Sequence, residues 1–143
     1  SFMKITARMP AVFLIGSCTY SCIELVWRGF THWTMGLTGG TCFCILYNVY
    51  TRFERLSLFR KCAIGSAVIT AAEFIVGCIV NLQLRWDVWD YSSLPFNLLG
   101  QICPLYTGLW FLLSLPIVGA THYLNRSLFS PKKRKRMLSW THL

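Results

Sequence analysis

The sequence predicts an all-α membrane protein, a bundle of four transmembrane helices with a structured or re-entrant outer loop before the fourth helix. Of its 143 residues, 55% are hydrophobic and 13% are charged, whereas a soluble domain carries roughly 25% charged residues. Four apolar windows each reach the roughly 17–25 residues that cross about 30 Å of hydrocarbon. We therefore interpret residues 1–143 as a single transmembrane domain.

The four windows define the predicted spans, which cover residues 9–27, 34–50, 62–84 and 98–124. The last is too long for one straight crossing, because 27 residues of α-helix extend for about 40 Å. Pro104 and Pro116 lie inside it, and each removes a backbone hydrogen bond. We expect residues 98–103 to form a short half-helix or re-entrant turn ahead of the span itself.

The distribution of basic residues predicts the orientation. Only Arg28 and Arg85 lie on the connections at one end of the predicted bundle. The opposite end carries Lys4, Arg8, Arg52, Arg55, Arg60, Lys61, Arg126 and the segment that follows it. Cytoplasmic loops collect Lys and Arg. The pattern therefore predicts cytoplasmic termini and an outward-facing 85–103 segment in a bacterial cytoplasmic membrane.

The net charge is +9, and five of the fourteen basic residues form one run at 132–136, within the predicted cytoplasmic tail 126–143. Anionic lipid headgroups attract such residues by about 1 kcal/mol each. No aromatic stacking platform accompanies the run, which disfavours nucleic acid as the partner. The bilayer and its anionic headgroups are the predicted partners of the tail.

The seven cysteines lie mostly inside apolar windows. No Cys-x-x-Cys pair or Cys/His cluster has the spacing of a zinc site. Cysteine behaves as a small hydrophobic residue in such surroundings, so we interpret most of the seven as packing residues. The sequence predicts no metal site and identifies no cofactor.

A polar stripe follows the third predicted span. Its members, at intervals of 4, 3, 4 and 4 residues, are Ser66, Thr70, Glu73, Gly77 and Asn81. This spacing places them on one helical face, which we expect to look into the bundle. Glu73 falls near the bilayer midplane, where a charge is costly unless it is paired or hydrated. The stripe is either a helix-packing seam with one hydrogen-bonded acid or the wall of a pocket.

Further polar residues gather at the outer end of the predicted bundle. Glu24 and Arg28 are spaced to pair along one helix, either as an interfacial ion pair or as part of a site. His32 follows in the outer turn, as an interfacial residue or a ligand. An anchoring role explains the aromatic residues of the 85–103 segment but not the polar residues beside them. The candidate substrate or ion pocket comprises Glu24, Arg28, His32, Glu73, Arg85, Asp87, Asp90, Asn97 and Gln101.

Two segments carry a family resemblance. Residues 24–35 read E-x-x-W-R-G-F-T-H-W-T-M and residues 89–103 read W-D-Y-S-S-L-P-F-N-L-L-G-Q-I-C. They resemble small bacterial multi-pass membrane proteins, common in Firmicutes, of the "putative ABC-transporter permease type IV" family, over residues 20–124. The resemblance implies a transport-related membrane component. It extends to Glu24, Trp27, Arg28, His32, Trp33, Trp89, Asp90, Tyr91, Ser92, Pro95, Asn97, Gly100 and Cys103.

Three functions fit these features. The first is a permease-like transport component with a polar pocket open to the outer face. Four spans enclose little volume, so it would work as a homo-oligomer or with other membrane subunits. The second is an intramembrane enzyme or lipid-modifying protein that uses Glu and Asp for acid–base chemistry or metal binding. The third is a non-catalytic assembly or regulatory subunit. No residue spacing matches a specific catalytic motif, so no catalytic residue is assigned and transport is favoured.

Overall fold

The computed structural model describes the backbone of residues 2–128 and the side chains of residues 8–127. Four long α-helices account for most of this range: α1 (Phe2–Arg28), α2 (Trp33–Arg52), α3 (Leu58–Gly77) and α4 (Pro104–Tyr123). Helices α3 and α4 continue into π-helical segments at Cys78–Gln83 and Leu124–Leu128. The described residues contain no named strand, so the predicted all-α class is confirmed.

Three segments are long and apolar enough to cross a membrane: Arg8–Arg28, Leu58–Gln83 and Pro104–Ser127. Helix α2, which contains the second predicted span, is not among them. Its first half is rich in glycine and threonine, and these residues lower its hydropathy. It is also the most enclosed helix, with nine buried residues. A helix that its neighbours cover does not need an apolar outer surface.

The helices pack most closely as two pairs, α1 with α2 and α3 with α4. Glycines allow this approach in both pairs. A Cβ added to Gly39 of α2 would lie 2.7 Å from the Tyr20 Cβ, and one added to Gly65 of α3 would collide with Ser114. Small residues at membrane helix interfaces let backbones come together in this way. In the second pair the Ser66 hydroxyl also donates to the Thr107 carbonyl at 2.7 Å.

The end of the bundle that holds the α1–α2 connection also carries the long loop, defined here as residues 84–103. For its last part we expected a half-helix or a re-entrant turn, and the half-helix does not form. Residues 98–103 form a tight turn in which the Leu98 amide donates to the Ile102 carbonyl at 2.9 Å. Gly100 and Leu99 have positive φ angles of 72° and 54°, which interrupt any helix. Helix α4 therefore begins at Pro104, whose fixed φ suits a first helical position.

The long loop meets the α1–α2 connection through aromatic rings. His32, Trp33 and Trp86 lie with ring centroids 5.6 to 6.0 Å apart. His32 also caps α2, because its side chain accepts from the Thr34 amide. Trp27 and Phe30 are exposed at the same end of the molecule. Amphipathic aromatic rings at one end of a membrane bundle are typical of an interfacial belt. Lys4 and the basic run at 132–136 lie outside the residues whose side chains are described.

Candidate functional site

Asn81 fastens the long loop to the end of α3. Its Oδ1 accepts from the Val88 amide at 2.7 Å and from the Trp89 amide at 3.4 Å. Its Nδ2 donates to the Gln101 Oε1 at 2.8 Å. These groups are buried, and a buried backbone amide needs a hydrogen-bond partner. A single side chain therefore satisfies amides and an acceptor from both arms of the loop.

Gln101 has a structural role of the same kind. It is 2% exposed, and its Nε2 donates to the Leu99 carbonyl at 2.9 Å. Its own carbonyl accepts from the Trp89 Nε1 at 3.0 Å. With Asn81 on its Oε1, the polar atoms of this side chain are already in use. Gln101 consequently orders the loop and leaves little capacity for a ligand.

Asn97 and Asp90 hold the tip of the loop. Asn97 donates to the carbonyls of Ser92 and Leu94 at 3.2 and 2.9 Å, and its Oδ1 accepts from the Gly100 amide. Asp90 accepts from the Ser92 amide at 2.9 Å. A Cβ on Gly100 would approach the Asp90 carboxylate to 2.8 Å. These bonds serve local turns, which Asn and Asp commonly stabilise.

Three other predicted site residues lie at the surface of this end. Arg85 and Asp87 are exposed and have positive φ angles of 57° and 49°. His32 packs against tryptophans and caps a helix. None of the three lines the cavity described below.

Glu24 and Arg28 form a polar cluster with two tyrosines in the interior. The Arg28 Nε lies 3.5 Å from the Glu24 Oε2. Tyr20 donates its hydroxyl hydrogen to Glu24 Oε1 at 3.0 Å, and Arg28 Nη2 donates to the Tyr91 hydroxyl at 3.0 Å. Tyr20, Glu24 and Arg28 share one face of α1, whereas Tyr91 comes from the long loop. The cluster therefore joins the first helix to the loop as well as neutralising a buried acid.

Tyr91 is positioned from two directions. Its ring stacks on Tyr106 of α4, with centroids 4.5 Å apart and planes 9° from parallel. Burial raises the pKa of its hydroxyl, and the nearby Glu73 charge adds to the shift. Tyr91 therefore keeps its proton at neutral pH, and it accepts from Arg28 as a neutral hydroxyl.

Glu73 is a buried acid whose carboxyl group is incompletely hydrogen-bonded. It is only 4% exposed, and its Oε1 has no hydrogen-bond partner among the described residues. The Trp110 indole and the Tyr91 hydroxyl lie close enough to interact weakly with this carboxyl as neutral donors, and the Arg28 charge also acts on it. The buried Trp110 Nε1 likewise lacks a hydrogen-bond partner in the described range. An unpartnered carboxylate oxygen inside a membrane bundle is costly, and such a group is a functional candidate.

A cavity of about 200 Å³ lies beside Glu73 at the centre of the bundle. All four helices contribute to its wall, and its lining is almost entirely apolar. Representative lining residues are Ile15 and Tyr20 of α1, Cys42 and Phe43 of α2, and Ile117 of α4. Trp89 of the long loop also lines it. The cavity places one carboxyl group against a large apolar surface.

A cleft between α1 and α4 adjoins this cavity. Its volume is about 320 Å³, and its walls include Glu24, Arg28, Tyr106 and Trp110. Tyr20, Ile23 and Leu113 line both spaces. Helices α1 and α4 are not one of the closely packed pairs. The cleft therefore leads from the central cavity toward the side of the bundle at the end that carries the long loop.

The structure thus divides the predicted site residues into two groups. Glu24, Arg28 and Glu73 lie at the cavity or its cleft. The remaining six, His32, Arg85, Asp87, Asp90, Asn97 and Gln101, belong to the loop and its surface. Sequence reasoning left Tyr106 and Trp110 out. Their spacing at i and i+4, which places both rings on one face of α4, was the available signal.

The predicted polar stripe faces the bundle interior, as expected. Its Ser66 and Thr70 contact Thr107 of α4, through the bond already given and a 3.1 Å hydroxyl contact. Gly77 packs against the long loop, which Asn81 also binds. Glu73 alone opens onto the cavity. Four positions of the stripe therefore pack against neighbouring segments, and Glu73 borders the cavity.

All seven cysteines are free thiols in the described structure. In the same range, no group of three His, Cys, Asp or Glu residues lies close enough together to hold a metal ion. The acids are instead distributed between the cavity, the loop and the opposite end of the bundle.

Comparison with known families identifies the chain's relatives. The family described as "Putative ABC-transporter type IV" matches residues 11–143. The chain belongs to that family. The match spans all four helices and the long loop, so the membrane-spanning helices and the cavity belong to the region that the family shares. The protein is accordingly a membrane protein of a transport-related family. No curated protein and no solved structure matches the chain significantly.

Proposed function

We propose that the protein is a permease-like component of a membrane transport system and that its central cavity is the substrate site. The observation that carries the proposal is Glu73, a buried carboxyl whose Oε1 has no hydrogen-bond partner in the described range and which lines a cavity between all four helices. A residue that only packed helices together would not require an acid at this depth.

The cleft between α1 and α4 supports a route into this site. It adjoins the cavity through Tyr20, Ile23 and Leu113, and it lies on the side where the two helix pairs are least tightly joined. A substrate that partitions into the bilayer would enter from the side of the bundle. The lining of the cavity is largely apolar, which suits such a substrate and differs from the polar pocket open to the outer face that we expected from the sequence.

The orientation forms part of the proposal. Helix α2 crosses the membrane in addition to the three apolar segments, because its 20 residues extend for about 30 Å and its neighbours cover its polar side. The long loop then faces outward and both termini lie in the bacterial cytoplasm, as the positive-inside rule favours. One bundle encloses too little space for a complete path, so further copies of the same chain complete it.

The other functions considered from the sequence gain no specific support. Asp87 and Asp90, two of the acids that an intramembrane enzyme would use, are exposed and do not line the cavity. Transport is therefore the one function proposed.

The test is uptake into proteoliposomes that contain the purified protein, with a uniformly ¹³C-labelled algal extract as the external pool. Labelled compounds inside the washed vesicles are identified by mass spectrometry. We expect at least one compound to enter with the wild-type protein and its uptake to fall at least tenfold with Glu73→Gln. Glu54→Gln, the same change at an exposed acid of the opposite end, should leave uptake unchanged. No uptake above empty vesicles, or equal uptake with Glu73→Gln, would refute the proposal.

A further inference from the structure

The charges around the cavity do not balance when its acids are ionised. Glu24 and Glu73 are both buried, and Arg28 is the cation that acts on each of them. Arg28 is already committed, because it pairs with Glu24 at 3.5 Å and donates to Tyr91 at 3.0 Å. Two carboxylates and one guanidinium leave one negative charge, and Glu73 is the acid without a direct ion pair.

The hydrogen-bond pattern points the same way. The Oε1 of Glu73 is buried and accepts no well-formed hydrogen bond among the described residues, and the nearby Trp110 indole and Tyr91 hydroxyl are neutral donors. A carboxylate oxygen is only an acceptor, so the group that completes it must donate. A charged donor would supply both the missing hydrogen bond and the missing positive charge, and such charge-assisted bonds are about twice as strong as neutral ones.

The rest of the wall determines what the donor is attached to. Aliphatic residues such as Ile15 and Ile117 and the rings of Tyr20, Phe43 and Trp89 dominate the lining. Aromatic faces also attract cations. A dry apolar cavity of about 150 Å³ is large enough for benzene. The cavity here, at about 200 Å³, therefore has room for a six-membered ring with a short polar substituent.

We infer that the cavity binds a protonated amine carried on a small apolar body, with its ammonium group on Glu73 and its apolar part against the aliphatic and aromatic wall. This assigns a substrate class to the site and rests on the proposed function. The alternative occupant of Glu73 is a proton, which would neutralise the acid and remove any preference for cations.

The experiment measures binding of radiolabelled benzylamine and benzyl alcohol to the intact protein in phosphatidylcholine nanodiscs at pH 7. The two compounds have nearly the same size and shape. The amine is cationic at this pH, as a lysine with its pKa of about 10.4 is, whereas the alcohol is neutral. Empty nanodiscs measure partition into lipid, which is subtracted.

We expect the wild-type protein to bind benzylamine saturably and at least tenfold more tightly than benzyl alcohol. Glu73→Gln should abolish that difference, because glutamine keeps the shape of the side chain but removes the charge and replaces one acceptor oxygen by an NH₂ donor. Glu54→Gln should retain it. Equal affinities for the amine and the alcohol, or no saturable amine binding, would overturn the inference. This comparison needs only the wild-type protein, so it holds even if Glu73→Gln does not fold.

The outcomes separate this inference from the proposed function. Selective amine binding with no uptake of any labelled compound would refute transport and leave the ligand class standing. Glu73-dependent uptake of a compound that is not an amine, together with equal binding of amine and alcohol, would do the reverse.

Discussion

Removing the Asn81 side chain is the sharpest test of how the long loop is held. In Asn81→Ala, the Val88 amide and the Gln101 Oε1 lose partners at 2.7 and 2.8 Å, and the Trp89 amide loses a longer contact at 3.4 Å. Leaving a buried polar group unsatisfied costs about 1–3 kcal/mol. With about 1–1.5 kcal/mol for each of the two short bonds, the free energy of opening the loop should fall by roughly 2–3 kcal/mol.

Hydrogen exchange measures this opening directly. A loss of about 2–3 kcal/mol corresponds to a roughly 30- to 150-fold fall in amide protection. We expect this fall at Val88 and at Tyr91, whose amide donates to the Gly100 carbonyl across the loop. The matched control is Asn48→Ala, because within the described range the Asn48 side chain donates only to the Cys44 carbonyl of its own helix and to Met9 Sδ. A fall of less than threefold at both loop amides in Asn81→Ala would refute the proposed fastening.

Two further predictions concern packing and the interior cluster, with stability measured as the free energy of unfolding in detergent. Gly77→Ala should destabilise by about 1–2 kcal/mol, because overpacking costs typically 1–3 and the new Cβ would lie 2.6 Å from Gln101 Oε1. Gly108→Ala, whose Cβ meets nothing within 4 Å among the described atoms, should stabilise by about 0.5–1 kcal/mol through helix propensity; shifts of the same sign would contradict this contrast. Tyr91→Phe should cost about 1–2 kcal/mol, because it removes the acceptor of a charged Arg28 donor, and an unchanged free energy would show that this bond contributes nothing.

The helical part of the fold could be predicted because it depends on local composition. Apolar windows and their lengths located all four helices, and the basic residues between them separated the two ends of the bundle. The interior face of α3 was also predictable, since a stripe at helical spacing has one direction in which its polar atoms can be covered.

The long loop could not be predicted in the same way. Its conformation depends on Asn81 reaching Val88 and Gln101, which are 7 and 20 residues away, and no periodic pattern encodes such contacts. This is also why Asn97 and Gln101 were candidates for a pocket: an amide in a membrane loop has the same composition whether it binds a ligand or its own backbone. Trp110 could not be recognised as a site residue from the sequence, because its role depends on its proximity to Glu73, 37 positions earlier in the chain.

The separation of the bundle into two helix pairs has a consequence for biosynthesis. The polar groups of α1 are arranged so that Glu24 finds Tyr20 and Arg28 within its own helix, and the first hairpin can leave the ribosome with this acid already satisfied. Helix α3 has no such provision. Asn81 binds Gln101, which is synthesised later, and the Glu73 Oε1 has no hydrogen-bond partner on its own helix. Insertion of α3 ahead of α4 would leave these polar groups without partners, so we expect the second hairpin to enter the bilayer as one unit.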